Sequence, residues 1–378
     1  MTTLRLAILL ASTSACLACL ACSRQPPAPG TTASPRPEDA PGAPSPRAAD
    51  EPAPSATDSV GEASTDAAAG SVITDDPMAL HKDTAEALLA LPWPPTLADG
   101  GTGALSSYFF APTPGRFNHG NRAIARHAVG KATCLKGLEG ITLQTEAQRA
   151  QCKGAENMVP IYEGGKPEAA KACIDVFEFP NRACELPMVW GSPAQAQTIC
   201  AQQGKRLCSD REWNLGCGGD PAGKERWIYA YGNEMDSSAC NTEKPHEFGP
   251  DGKQWRCNVH DARSAWSTCS TDTEPSGAFP RCRSRFGVFD QHGNVAEEMT
   301  RIADARDGRE PGTVLTQLKG SAFFYVDVSR RHDQAQAKDA PRETYPDHCG
   351  FDPRWHVEVL KDAQHVNYHL GFRCCKSI

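Results

Sequence analysis

The sequence predicts an irregular α+β domain that is rich in loops and held together by several disulfides. Fourteen cysteines lie between Cys134 and Cys375, two short helices carry capping signals, and the rest of this region alternates short apolar runs with stretches rich in Gly, Pro and Asn. An even set of cysteines in an exported chain indicates a disulfide framework. Short helices and short strands within one disulfide-linked region are typical of an α+β domain.

The first 22 residues predict export from the cytoplasm. Arg5 supplies a positive n-region, and the apolar run from Leu6 to Ala21 is too short to span a membrane. This pattern is typical of a signal peptide, which we assign to residues 1–22. The run ends twice in small residues before a cysteine, which resembles a bacterial lipobox with a cysteine in place of the usual leucine. The alternative is an ordinary signal peptide without a lipid.

The cysteine count selects the lipid site. Of the 17 cysteines, Cys16, Cys19 and Cys22 lie in the signal segment, and the other fourteen form an even set. Acylation of Cys22 leaves no odd thiol, whereas acylation of Cys19 would leave Cys22 as an exposed thiol. We therefore expect the lipid on Cys22 and a lipoprotein anchored to a membrane by it. Ser23 suits sorting to the outer membrane of a Gram-negative bacterium.

Composition divides the rest of the chain. Residues 23–77 are mainly Pro, Ala, Ser, Thr, Gly and acidic residues, which predicts a disordered linker. Residues 78–156 form an N-terminal extension that we expect to be partly helical, since 78–92 has helical apolar spacing. The main domain is expected over 157–378. The net charge of −7, without a basic block, argues against nucleic acid as a partner.

Two capping boxes predict the two helices of the main domain. Ser192 is followed three residues later by Gln195, with a proline at the first helical position, and Gly204 ends the helix. Ser209 and Glu212 form the second capping box. A short connector that contains a cysteine joins the two helices.

Several segments, in order along the chain, resemble the motifs of the sulfatase-modifying factor family, which includes formylglycine-generating enzyme. One of them is GKRLCSDREW at 204–213, which is similar to GKRLPTEAEW in the family, and the weight of the resemblance comes from several such segments in the family's order. The resemblance covers about 157–376 and implies the family's C-type-lectin-like fold. The other matching segments are MVWGSPAQAQTIC at 188–200, FEFPN at 177–181, YGNE at 231–234, ACN at 239–241, FGVFDQHGNV at 286–295, KGS at 319–321 and GFRC at 371–374.

The resemblance does not extend to the family's oxidase chemistry. Family enzymes oxidise a substrate cysteine with a copper ion held by two thiolates, which follow the serine of an RGGS motif by three and eight residues. That serine is Ser321 here, and the two positions are Phe324 and Ser329. Neither side chain is a ligand for Cu(I). We therefore expect no catalytic residue and no copper.

A non-catalytic binding or scaffolding role is the favoured function. The expected partner is an unknown protein or peptide. The alternative is a formylglycine-generating oxidase, or another oxidoreductase on the same scaffold. Four aromatic residues either line a peptide groove or belong to the core, namely Phe323, Phe324, Tyr325 and Trp355.

The resemblance also implies structural calcium, which binds carboxylate and carbonyl oxygens. The alternative is that the acidic residues only cap a turn and solvate a loop. Glu298 stands where the family has a tryptophan beside this turn. By position, the ligands of one calcium site are Asp290, Gly293, Val295 and Glu297, and a second site begins at Asn241 and Thr242.

The family pattern suggests partners for several cysteines. Two pairs follow from it by position, and a third follows because Cys208 replaces a family proline while Cys375 follows Cys374. Cys173 and Cys184, which flank residues 177–181, are candidates for a local pair. The implied disulfides are Cys200–Cys374, Cys217–Cys349 and Cys208–Cys375.

Overall fold

A computed structural model describes residues 75–82, 113–242, 244, 257–258, 261–324, 327–329, 342–344, 348–353 and 356–378. The predicted signal peptide, the lipid site at Cys22 and most of the predicted linker lie outside the described residues. The described residues belong to one compact unit that begins at Ala68. The helix predicted over 78–92 is described only to residue 82, as a 3-10 turn at Pro77–Ala79 followed by helical residues 80–82.

The larger sheet among the described residues has four antiparallel strands in the order β1-β2-β9-β3. β9, the last of these strands along the chain, lies between β2 and β3 and pairs with both. The four strands are β1 (Met158–Ile161), β2 (Ala172–Asp175), β3 (Arg206–Leu207) and β9 (Cys374–Ser377).

A second sheet has three strands in the order β5-β4-β8. These strands are β4 (Ala296–Ile302), β5 (Val314–Lys319) and β8 (Leu370–Phe372). β4 pairs antiparallel with β5 and parallel with β8. A third, two-stranded sheet pairs β6 (Asp327–Ser329) with β7 (Arg342–Thr344).

The described helices are short, and capping residues define their ends. Both predicted capping boxes are confirmed: the Ser192 Oγ accepts from the Gln195 N–H, and the Ser209 Oγ accepts from the Glu212 N–H. Gly204 follows the first of these helices with a positive φ of 65°, as its position predicts. The helices are α1 (Lys131–Gly137), α2 (Glu146–Gln151), α3 (Pro193–Gln202), α4 (Asp210–Gly218) and α5 (Ala262–Thr268).

All fourteen cysteines from Cys134 to Cys375 form disulfides. The structure contains the three pairs that the family pattern implies, Cys200–Cys374, Cys208–Cys375 and Cys217–Cys349. The candidate local pair of Cys173 with Cys184 is wrong. Because α1 and the end of α2 supply cysteines of their own, the bonds are Cys134–Cys184 and Cys152–Cys173. The other two are Cys240–Cys282 and Cys257–Cys269.

The α+β, loop-rich and disulfide-linked fold class is confirmed. Trp213 on α4 is fully buried, and Phe177 stacks on Phe289 with ring centroids 5.2 Å apart. These rings lie in one core cluster that also includes Cys134 of α1. The core therefore fixes the turn that precedes β4, where the candidate site residues lie.

Candidate functional site

The turn over residues 290–295 approaches a neighbouring loop closely. Gly293 has a φ of 70°, and a Cβ at this position would lie 2.1 Å from the Asn241 carbonyl oxygen. Only glycine meets both demands, because other residues rarely adopt this backbone conformation and need space for a side chain. The Gly293 N–H donates to the Ser321 Oγ at 2.9 Å. The structure therefore brings together Asn241, Gly293 and Ser321, three positions that the sequence singled out.

Asn294 links this turn to a glutamate that the sequence analysis did not select. Its Nδ2 donates to the Glu178 Oε2 at 2.7 Å, and its Oδ1 accepts from the Asn241 Nδ2 at 2.8 Å. The Glu178 Oε1 accepts from the Val295 N–H at 3.1 Å. Glu178 lies in the FEFPN segment, so the family motif was the available signal for it.

A buried ion pair lies beside the turn. The Arg373 Nε and Nη2 each donate to Glu297 over 2.6 Å, and both side chains are fully buried. The Glu297 Oε2 also accepts from the Trp213 Nε1 at 3.0 Å. The remaining guanidinium N–H groups donate to the backbone carbonyls of Asp175, Val176 and Phe289. All five donors of the arginine are thus satisfied, as burial of the charge requires.

Three buried carboxylates share this one arginine. Burial raises the pKa of Asp290 to about 7, against the opposing effects of the Gly277 N–H and the Arg373 charge. Burial also raises the pKa of Glu178 well above its usual range, and the charges of Asp290 and Glu297 raise it further. The charge of Glu178, Asp290 and Glu297 together exceeds that of Arg373, so the cluster favours an additional cation or a proton.

The negative charge of the residues at the first predicted calcium site is compatible with a bound cation. Among the described residues, the Asp290 carboxylate accepts one hydrogen bond, from the Gly277 N–H at 2.6 Å, which leaves acceptor capacity on it. Glu297 has less capacity, since Arg373 and Trp213 together donate three hydrogen bonds to it. Asp290 is therefore the side chain best able to hold calcium, with the Gly293 and Val295 carbonyls assigned by resemblance.

The second predicted calcium position includes an unpaired buried oxygen. The Asn241 Nδ2 donates to Asn294 and to the Asp272 carbonyl, which fixes the orientation of the amide. The Asn241 Oδ1 is buried and has no hydrogen-bond partner among the described residues. An oxygen of this kind fits a hard cation such as calcium. Thr242, the other predicted residue, follows directly.

The positions of the family's copper ligands hold no thiolate. Phe324 is buried and stacks on Tyr368, with ring centroids 5.8 Å apart. Ser329 ends β6. Phe323 is also buried, so both described aromatics of the candidate groove belong to the core, while Tyr325 and Trp355 lie outside the described residues. These positions do not fit copper.

One group of three side chains in the described part of the chain brings potential metal-ligand atoms within 4.8 Å of one another: Cys217, His292 and Cys349. The two sulfurs are bonded to each other, so neither is a thiolate. The Cys217 Sγ lies 3.8 Å from the His292 Nδ1. With the disulfide formed, this group does not offer a metal site.

Glu298 is a buried acid with no hydrogen-bond partner among the described residues. It lies on β4, and both of its carboxyl oxygens are buried. Burial raises the pKa of Glu298 to about 8, and the nearby charge of Glu358 adds to the effect. The side chain is therefore mainly protonated at pH 7. The sequence signal was its place at a position where the family has tryptophan.

Comparisons with known proteins identify the family. A sequence model of the sulfatase-modifying factor enzyme 1-like domain matches residues 146–353, which is more than half of the chain. A search of curated proteins finds no match. Among solved structures, the chain is similar to CarF, with 14% identity over 51% of this chain and 68% of that chain, at a TM-score of 0.32. It is also similar to PvdO from Pseudomonas aeruginosa, with 17% identity over 61% and 75% of the two chains, at a TM-score of 0.29.

Because of Glu298, we expect the free energy of unfolding to fall as the pH rises. A glutamate in an unfolded chain has a pKa of about 4.3, so between this value and about 8 the folded chain binds a proton that the unfolded chain lacks. The contribution of Glu298 to the free energy of unfolding is then lost as the pH rises through this range. The variant Glu298→Gln cannot ionise, so its stability relative to the parent should rise by a few kcal/mol between pH 5 and pH 8. Urea unfolding at several pH values measures this difference.

The matched control is Glu310→Gln, which changes an exposed carboxylate in the same way. Its stability should follow the parent at each pH. Parallel stability curves for Glu298→Gln and the parent would show that the buried carboxyl does not titrate as described.

Proposed function

The chain belongs to the family of sulfatase-modifying factor enzyme 1-like domains, and we propose that it is a non-catalytic member, which binds or scaffolds a protein or peptide outside the cytoplasm. Membership in the family does not by itself imply its chemistry, since function depends on the site and not on the fold.

The observation that carries the proposal is the state of the cysteines. Copper oxidation in the family requires two free thiolates, and Cu(I) selects such soft ligands. The chain has no cysteine at Phe324 or Ser329, and all fourteen cysteines from Cys134 to Cys375 lie in disulfides. No other cysteine in this region is left to replace the missing pair.

Ser321, which is retained from the family's RGGS motif, has a structural role in this chain. It is buried, and its Oγ accepts a hydrogen bond from the Gly293 N–H, so it holds the turn beside β4. Retention of Ser321 from the family motif also favours the alternative function, an oxidase or another oxidoreductase on this scaffold.

The compartment follows from the disulfides. Seven disulfides indicate an oxidising, extracytoplasmic environment. In the described part of the chain, no helix has the length and hydropathy needed to cross a membrane. We propose that a lipid on Cys22 anchors the protein, on the outer membrane of a Gram-negative bacterium. The support is the sequence around Cys22 and the fact that each later cysteine already has a partner.

Structural calcium is part of the proposal. Asp290 would hold an ion at the first site, through a buried carboxylate with acceptor capacity. Asn241 would hold an ion at the second site, through a buried amide oxygen without a partner in the described residues. Calcium at these positions would balance the excess negative charge of the cluster and hold the two loops together. It has no catalytic role in this proposal.

The absence of oxidase activity is tested with copper and a substrate peptide. The purified chain, loaded with copper, is incubated with a Cys-x-Pro-x-Arg peptide, and mass spectrometry follows conversion of the cysteine to an aldehyde. We expect no copper-dependent product, because the fourteen cysteines from Cys134 to Cys375 lie in disulfides and offer no thiolate pair to hold the ion. An active formylglycine-generating enzyme serves as the positive control. Copper-dependent turnover would contradict the proposal and favour the alternative.

The lipid site is tested with two cysteine variants. Cys22→Ser should abolish acylation and release the protein from the membrane fraction, whereas Cys19→Ser should leave both unchanged. Mass spectrometry of the N-terminal peptide and membrane fractionation measure the outcome. Loss of acylation in Cys19→Ser alone would move the lipid to Cys19, and an unmodified N-terminal peptide in the parent would indicate an ordinary signal peptide.

Calcium is tested by its effect on thermal stability. In the chelator-treated chain, calcium at about a hundredfold excess over its dissociation constant should raise the melting temperature by roughly 5 °C. Asp290→Asn should remove most of this shift, whereas Asp362→Asn, at an exposed aspartate, should preserve it. Calorimetry that shows neither heat of binding nor a shift in the parent would exclude the calcium site.

A further inference from the structure

Three histidines lie together away from the turn that precedes β4. His81 belongs to the segment 75–82, and His119 and His127 belong to the stretch before α1. The His81 Nε2 lies 3.0 Å from the His127 Nε2. The His119 ring stands edge-on to His81, with ring centroids 5.6 Å apart. The chain thus brings three imidazoles from two segments to one place.

Backbone carbonyls set the protonation of two of these rings. The His127 Nδ1 lies 2.5 Å from the Thr273 carbonyl oxygen, and the His119 Nδ1 lies 3.3 Å from the Pro187 carbonyl oxygen. A carbonyl oxygen can only accept a hydrogen bond, so each Nδ1 carries the proton and each Nε2 carries the lone pair. Metal-binding histidines have this arrangement, in which the outer nitrogen donates to a carbonyl and the inner nitrogen binds the ion.

Burial keeps the rings neutral, which is the form that binds metal. It lowers the pKa of His119 to about 3 and that of His127 to about 4, and the pKa of His81 is also lowered, to about 3. His119 and His127 are 3% and 8% exposed. The His119 Nε2 is buried and has no hydrogen-bond partner among the described residues. A buried lone pair without a donor is costly unless it binds something.

Two positive charges face the histidines, and one of them is balanced. Lys244 lowers the pKa of His127, but its Nζ lies 2.5 Å from the Glu274 Oε1. Arg122 lowers the pKa of His81, and Arg122 itself is exposed, so solvent screens its charge. The surroundings therefore do not prevent a cation from binding.

We propose that His81, His119 and His127 form a binding site for one divalent transition-metal ion of the zinc class. Imidazole nitrogen suits zinc, copper, iron and nickel, and three histidines with an open fourth position are a known zinc arrangement. The ligand nitrogens do not all lie within 4.8 Å of one another. Binding of a single ion by all three therefore requires His81 or His119 to rotate about its side-chain torsions.

The site has a structural consequence for the segment that carries His81. This segment is already docked, since Leu80 is 1% exposed and the Asp75 carboxylate accepts hydrogen bonds from the Thr133 N–H and Oγ1 at 3.0 and 2.7 Å. A metal bound by His81 together with His119 and His127 would tie residues 75–82 to the domain. The ion would thus stabilise the docking of residues 75–82 onto the domain, at the point where the domain connects to the preceding chain.

The test uses the full chain, produced without a polyhistidine tag, with its disulfides intact and treated with a chelator. Co²⁺ and Zn²⁺ are titrated separately, and absorption and calorimetry record the binding. We expect one ion per chain, visible absorption bands of cobalt bound by nitrogen, and at least about tenfold weaker binding for His81→Gln. His81 is the least buried of the three, so this variant is the one expected to fold.

The control changes a second group of histidines. His356 and His365 stack with ring centroids 4.0 Å apart, and His356→Gln with His365→Gln should leave metal binding unchanged. X-ray absorption of the zinc-loaded, unmutated chain should show three imidazole nitrogens at about 2.0 Å, and it decides the question if His81→Gln does not fold. No binding by the parent, loss of binding only in the control, or fewer than three imidazoles at zinc would each overturn the proposal.

Discussion

The buried Arg373 is the group on which the arrangement of the domain depends. It lies between β8 and β9, pairs with Glu297 on β4, and donates to the backbone carbonyls of Asp175, at the end of β2, and of Phe289, before the 290–295 turn. A buried charge is costly to leave unpaired, so these segments must keep their relative positions for the guanidinium to remain satisfied. One side chain thus holds both main sheets and the candidate site in register.

The motif residues near the candidate site have structural roles in this domain. The interactions around Glu178, Asn294 and Ser321 join neighbouring loops through hydrogen bonds that do not depend on copper. These motif residues therefore stabilise the fold whether or not copper is bound. The fourteen cysteines from Cys134 to Cys375 serve cross-linking, and retention of the motifs does not by itself indicate oxidation chemistry.

Short-range sequence patterns predicted the helices of the fold better than they predicted the contacts at the candidate site. The capping boxes at Ser192 and Ser209 depend on residues three positions apart, so sequence alone reveals them. The pairing of Cys200 with Cys374 spans 174 residues and needed the family pattern. Glu178 reaches Asn294 across 116 residues, and neither composition nor periodicity predicts such a contact. The histidine cluster could not be predicted for the same reason, since His81 is distant in sequence from the other two histidines and meets them only in the folded chain.

The order of the paired cysteines along the chain has a consequence for biogenesis. Cys200 and Cys208 emerge during synthesis 174 and 167 residues before their partners, so a partly exported chain holds them as thiols with no native partner. Because those partners, Cys374 and Cys375, are adjacent, the native and the exchanged pairings close loops of nearly equal length, and chain entropy hardly discriminates between them. Correct pairing must be selected by the packing of β9 between β2 and β3, or reached by thiol–disulfide exchange after export. Production of this protein in quantity should therefore depend on the supply of disulfide isomerase activity.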